Sequence, residues 1–218
     1  MQLFLFSGVL YYMLNIDIKE RHQEFFLDFG FEFNPNYSTY EKSFPLGKQA
    51  IFVHFTEYPD TNYLEYNLGV RIDTVEELIH RFLPSLSDYS SRSLTLIQTP
   101  NKIDPSIPNR FAITSDFEME EALIKAEKFF IKNGFKWLDK MSHPLTLENA
   151  FVAKENYTFK SQNFIYNAFR ATALAKLYKP EDYLIVRENF LNMVEKQQVT
   201  PFTIASYLQF LSHLDQEV

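Results

Sequence analysis

Two runs of alternating apolar and polar positions dominate the chain. Ala50 to Tyr58 and Tyr63 to Ile72 each repeat with the period of a strand, and Pro59, Asp60, Thr61 and Asn62 between them supply turn chemistry. The pattern predicts a β-hairpin in which Tyr58 faces Tyr63. In that register Ile51, Val53 and Phe55 lie beside Val70, Leu68 and Tyr66 on an apolar face, while Thr56, His54 and Phe52 meet Glu65, Asn67 and Gly69 on a semi-polar one. Phe52 opposite Gly69 places an aromatic ring over bare backbone, a device that stabilises sheets.

Helical periods flank this hairpin. Ile18, Phe25, Phe26 and Phe29 recur at helical spacing from Asp17 to Phe29, and Gly30 stands where a left-handed cap belongs. Between Pro35 and Pro45, NYSTYEKSF has the β-branched and aromatic content of a strand. Beyond the hairpin, Thr74 with Glu77 predicts a capping box for VEELIHRFL, ended by Pro84. RSLTLIQT and RFAITS read as two short strands around a Pro-rich link. Ser115 with Glu118 predicts a second capping box, for a helix running to Asn133 with Gly134 as its cap.

After His143 and Pro144 the pattern becomes wholly helical. LTLENAFVAKEN reads as a short helix, followed by three more in series, with Thr200 and Pro201 as N-cap and first residue of the last. Tyr183, Val186, Phe190 and Met193 form a stripe the width of a helix–helix seam, and Asn163 to Tyr178 is apolar nearly all round, as a buried helix would be. The expected fold class is α+β: an antiparallel sheet of four to five strands packed by helices, with an all-helical C-terminal extension. The expected division is an α+β domain over residues 13–143 and a helical region over 144–218 packed on it, or one single domain.

Composition adds material for a core and removes several chemistries. Apolar residues are 46% of the 218, with 23 Phe and 13 Tyr, a load that codon bias in an AT-rich genome would also give. There is no Cys, which excludes disulfides, thiol catalysis and thiolate metal sites. The net charge of −7, with no run of Lys and Arg, argues against nucleic acid and suits a basic protein partner. The stretch MQLFLFSGVLYYML lacks a basic leader and a small-residue cleavage site, and is too short to span a bilayer. Residues 1–12 read as an upstream extension of the frame or an added edge element, and a cytoplasmic protein without membrane contact is expected.

Catalytic motifs are missing from the sequence. The five glycines never share a loop, so no phosphate cradle or dinucleotide fingerprint exists. The nearest two histidines, His54 and His80, stand 26 positions apart, so no paired-His metal motif occurs. No serine occupies a nucleophile elbow. Neither a cofactor nor a metal is therefore expected. Glu57, Asp60 and Glu65 around the hairpin tip fit solvated turn chemistry, and Glu118, Glu120 and Glu121 suit the positive end of a helix dipole. The one surface with a binding composition is the semi-polar hairpin face, where His54, Tyr58, Tyr63, Glu65, Asn67 and Arg71 mix aromatic bodies with polar tips.

The order of a first helix, GFEF at Gly30 to Phe33, a strand, IFVHF and NLGV at Asn67 to Val70 resembles a family of uncharacterised bacterial domains. The likeness spans residues 17–115 and implies the same α+β order. Some members of that group look like immunity proteins that neutralise toxins, and the resemblance carries no catalytic residues. Two functional expectations follow. The first is a non-catalytic protein-binding module of immunity or adaptor type. The second is a metal-independent enzyme or small-ligand binder with a pocket between the sheet and the C-terminal helices, using His54, Glu65 and Arg71. A homodimer through the C-terminal helices is a third expectation.

Overall fold

A computed structural model of the chain describes residues 18, 20–83, 89–152, 163–196 and 199–216. The expectations for residues 1–12 and for Pro84 fall outside them. Helix α1 (20–28) ends as its glycine predicts. Gly30 adopts φ +81°, its N–H donates to the Leu27 carbonyl (2.8 Å), and the Phe31 N–H reaches back to Phe26 (3.0 Å). That pair of bonds is a Schellman closure, and only glycine accepts its backbone angle without strain.

Six strands follow in one antiparallel sheet: β1 (Glu32–Asn34), β2 (Thr39–Phe44), β3 (Gly47–Thr56), β4 (Asn62–Ile72), β5 (Leu96–Gln98) and β6 (Arg110–Ile113). Their order is β1-β2-β3-β4-β5, with β6 also on β4. The α+β class and the hairpin are as the alternation predicts. Strand β1 is additional: an Asx turn, in which the Asn36 N–H donates to Asn34 Oδ1 (3.1 Å), and Ser38 at φ 52° fold it back onto β2. Register pairs Tyr40 with Ile51 and Thr39 with Phe52, so Tyr40 and Ile51 share the inner face.

The helices are α2 (Asp73–His80), α3 (Pro100–Ile103), α4 (Asp116–Phe129), a π turn (Phe130–Gly134), α5 (Phe135–Met141), α6 (Pro144–Val152), α7 (Asn163–Tyr178), α8 (Tyr183–Lys196) and α9 (Pro201–Gln216). Ser115 caps α4 by accepting from the Glu118 N–H (3.3 Å), and Thr200 does the same for the Thr203 N–H of α9 (3.3 Å). Two expectations are corrected. Thr74 does not cap α2, because its hydroxyl meets Tyr178 Oη (2.8 Å) and the helix already begins at Asp73. Gly134 does not end α4: the chain continues helically through the π turn into α5. A Cβ at Gly134 would lie 2.8 Å from Phe130 Cδ1 and 3.1 Å from Phe129 Cε1, so packing selects glycine there.

By its packing the described chain divides into two compact units, residues to Val70 with Ile97–Asp139, and Arg71–Leu96 with residues from Lys140 onward. The segment carrying α2 thus groups with the C-terminal helices. In the first unit, α1 and the π turn cover the inner sheet face with rings: Phe26 meets Tyr40 at 4.6 Å and Phe130 edge-on at 5.1 Å, and Phe29 stacks on Phe135 at 4.3 Å. This cluster uses the aromatic load that composition announced. In the second unit, α7 is the buried helix, as its composition predicts: Ala168, Phe169, Ala171, Ala173, Leu174 and Ala175 are inaccessible. Its alanines admit neighbouring helices closely. The α8 seam is Tyr183, Val186, Phe190 and Val194, with Val194 replacing the expected Met193 by one step.

Candidate functional site

Alternation along β3 and β4 leaves one sheet face covered and the other open. Leu64, Tyr66, Leu68 and Val70 are buried on the inner side, whereas Tyr63, Glu65 and Asn67 are half-buried on the outer side and His54 is exposed. Phe52 and His54, two apart on β3, stack at 6.0 Å with rings nearly parallel. At the hairpin mouth, exposed Tyr58 meets Tyr63 edge-on at 5.7 Å, the neighbourhood that the simple register predicts. Strand β6 extends this face: Arg110 pairs with Glu65 and Ala112 with Tyr63, and the Arg110 guanidinium lies 4.9 Å from the centre of the Tyr63 ring.

A polar cluster continues the same face on β1, β2 and β3. Glu41 accepts from Lys48 Nζ (2.8 Å), Thr39 Oγ1 (3.0 Å) and Asn34 Nδ2 (3.1 Å). Burial pushes its carboxyl up, but those hydrogen bonds and the Lys48 charge outweigh it and hold the group below the usual carboxylate range. The outer face therefore carries fixed charge at one side and aromatic rings at the other.

Of the residues singled out in the sequence, His54, Tyr58, Tyr63, Glu65 and Asn67 lie along this hairpin surface. Arg71 does not share its openness. It is 7% exposed and belongs to the second unit, where Nε donates to Asp73 Oδ1 (2.5 Å) and Nη1 to the Ser90 carbonyl (2.5 Å), the Ser93 carbonyl (3.0 Å) and Ser93 Oγ (2.8 Å). Its guanidinium is engaged in holding the loop after α2. Arg110 is the residue that the sequence did not assign to the face, and Phe52 is placed on it there without being counted among the binding candidates. Arg110 could have been found by pairing RFAITS antiparallel to the start of β4.

Arg71 leads into a buried polar network. Ser93 Oγ donates to the Ser90 carbonyl (3.0 Å), so it accepts from His80 Nε2 (2.9 Å) as well as from Arg71. Glu76, wholly buried, accepts from Arg170 Nε (2.8 Å) and Nη2 (2.9 Å) and lies 3.8 Å from His80 Nε2. Burial raises the Glu76 carboxyl, but the Arg170 charge and hydrogen bonds prevail and hold it low. For His80, burial lowers the imidazole and the Arg170 and Arg71 charges add to it against the pull of Glu76. Serine, histidine and glutamate meet here, yet not as a nucleophilic relay. Glu76 approaches the same nitrogen that faces Ser93, and His80 Nδ1 is buried with no partner. The Ser93 hydroxyl meets the Ser90 carbonyl, His80 and Glu76 together, and the set ties the Ser90–Ser93 loop to α2.

A small cavity of about 120 Å³ adjoins the start of α4, lined by Ile18, Arg21, Phe55, Asn62 and Met119 among others. Arg21 of α1 forms an ion pair with Glu120 beside it. Among the described residues no group of three or more His, Asp or Glu side chains is placed to hold a metal ion, and no helix is long and apolar enough to cross a membrane. Compared with known proteins, the chain matches no family model, no curated protein and no solved structure.

Proposed function

We propose that this chain is a non-catalytic protein-binding module, of immunity or adaptor type, that presents the outer face of its sheet to another protein. The observation that carries this is two ring groups on paired strands, Tyr58 with Tyr63 and Arg110, and Phe52 with His54, in which Tyr58, His54 and Arg110 are exposed and Tyr63 and Phe52 half-buried. Tyr and Arg are the side chains that most often concentrate binding energy at protein interfaces, and strands present them at little entropic cost. The net charge of −7 favours a basic partner by steering the encounter.

Affinity capture from the native host at physiological salt tests this, with the wild type beside the double variant His54→Ala/Tyr58→Ala. Both side chains are exposed, so the variant should melt with the wild type. A stoichiometric partner that the wild type retains and the variant loses supports the proposal. No stoichiometric partner, or equal retention by the variant, refutes it.

A further inference from the structure

A groove runs between the edge of the sheet and α4. Strand β6 pairs with β4 alone among the described strands, so its other edge carries main-chain groups that no strand satisfies. Glu118, Glu121, Ala122 and Lys125 of α4, spaced to share one helix face, stand alongside Pro108, Arg110, Phe111 and Ala112 around a cavity of about 300 Å³. Phe111 and Ala122 are buried and form the floor, while Arg110, Ala112, Glu121 and Lys125 are exposed at the rims.

The short link Thr114–Ser115 turns the chain back, so Glu118 lies toward the Ile113 end of β6 and Lys125 toward the Arg110 end. The groove is therefore bipolar. Glu118 accepts from the Thr114 N–H (2.7 Å) and Oγ1 (2.6 Å), bonds that hold its carboxyl below the usual range, while Glu121 stands midway along the wall and pairs with Lys125 (3.7 Å). Arg110 makes the other end cationic, with the Glu121–Lys125 pair between the two ends.

We propose that this groove receives an extended segment of a partner protein as a further antiparallel strand on β6. An unsatisfied strand edge is complementary to another extended main chain, and the adjoining helix supplies the side wall that reads its side chains. In the antiparallel sense the N-terminal end of the guest lies by Glu118 and its C-terminal end by Arg110, with Lys125 on the wall beside it. The guest therefore carries Lys or Arg followed, two residues on and on the same side of the strand, by Asp or Glu. This rests on the protein-binding function proposed above, and uses the free edge of β6, which shares Arg110 with the outer-face cluster but neither His54 nor Tyr58.

A random peptide library displayed on phage and selected on the full-length chain tests it, followed by fluorescence anisotropy of the enriched peptides. The expected enrichment is a β-prone segment with the basic-x-acidic pattern. Methylating its main-chain nitrogens at alternate residues should weaken binding about tenfold per lost hydrogen bond, and methylating the intervening ones should not. Lys125 is exposed, so Lys125→Glu should fold normally and weaken binding, and a peptide whose acid is changed to Lys should recover it. His54→Ala/Tyr58→Ala should leave peptide binding intact, which separates failure of the groove from failure of the outer face. No enriched pattern, or binding indifferent to methylation and to Lys125→Glu, overturns the proposal.

Discussion

The sharpest test of the first unit's core is acidification through His22. Its ring is inaccessible to solvent, packed 5.2 Å from Phe26 and 5.5 Å from Tyr66, with Nε2 2.6 Å from Tyr66 Oη and Nδ1 buried without a partner. Burial lowers the imidazole from 6.5 to about 4. The proton therefore prefers the unfolded chain, whose imidazole still titrates at 6.5, and stability falls as pH drops from 6.5 toward 4. Each pH unit inside that window costs about 1.4 kcal/mol, so about 2 kcal/mol is lost from His22 by pH 5 and about 3 kcal/mol over the whole shift. Urea unfolding of the wild type and His22→Gln at pH 7 and pH 5 isolates this contribution, because Gln gives Tyr66 a polar partner but cannot take up a proton. The other titratable groups are common to both proteins and cancel in the difference. The wild type should lose about 2 kcal/mol more than the variant on acidification. Equal losses would refute the claim that His22 is buried in its neutral form.

Three further outcomes follow from the packing. Arg170→Ala leaves Glu76 buried without its bidentate partner and should lower the unfolding free energy by about 3 to 5 kcal/mol in urea titrations, whereas Glu76→Leu with Arg170→Leu should recover most of it. Gly134→Ala should destabilise by about 1 to 3 kcal/mol despite the better helix propensity of Ala, because its Cβ meets the buried Phe130 ring; an unchanged melting temperature would contradict this. Glu148, wholly buried with neither oxygen hydrogen-bonded and Lys179 Nζ 3.6 Å away, has its carboxyl raised by burial. Its charge opposes folding above that raised value and the penalty vanishes on acidification. Glu148→Gln should thus stabilise the chain at pH 7 by about 1 kcal/mol and lose that advantage as pH falls.

Features fixed within a few neighbouring residues were legible in the sequence. The β3–β4 hairpin needs only alternation and a turn, Gly30 only a left-handed backbone, and Ser115 and Thr200 only a donor three residues on. What failed depended on distant partners. Thr74 has the sequence of a cap, but Tyr178, 104 residues away, takes its hydroxyl. Gly134 follows a long helix as a cap would, but the Phe129 and Phe130 rings leave no room for a Cβ and the helix continues. Period-two alternation gives Arg71 the same side as Tyr63 and Asn67, but cannot reveal that the loop bearing Ser90 and Ser93 closes over it.

The same contrast bears on where binding chemistry can reside. In the second unit three ionisable side chains near α2 are turned inward and held by neighbours: Arg71 by Asp73 and the Ser90–Ser93 loop, Glu76 by Arg170, His80 by Ser93. Such a network costs desolvation that an apolar core would avoid, and its return is geometric, since each partner fixes the position of the next. The outer sheet face of the first unit has the opposite character. Tyr58 and the Arg110 guanidinium each touch Tyr63 on one side and water on the other, so their remaining contact area is unspent. A partner that covers Tyr58 and His54 removes aromatic surface from water without breaking any internal hydrogen bond, whereas a ligand for His80 or Arg71 must first displace one. That difference in cost, more than any motif, is the reason for proposing the open strands, and not the buried charges, as the recognition surface.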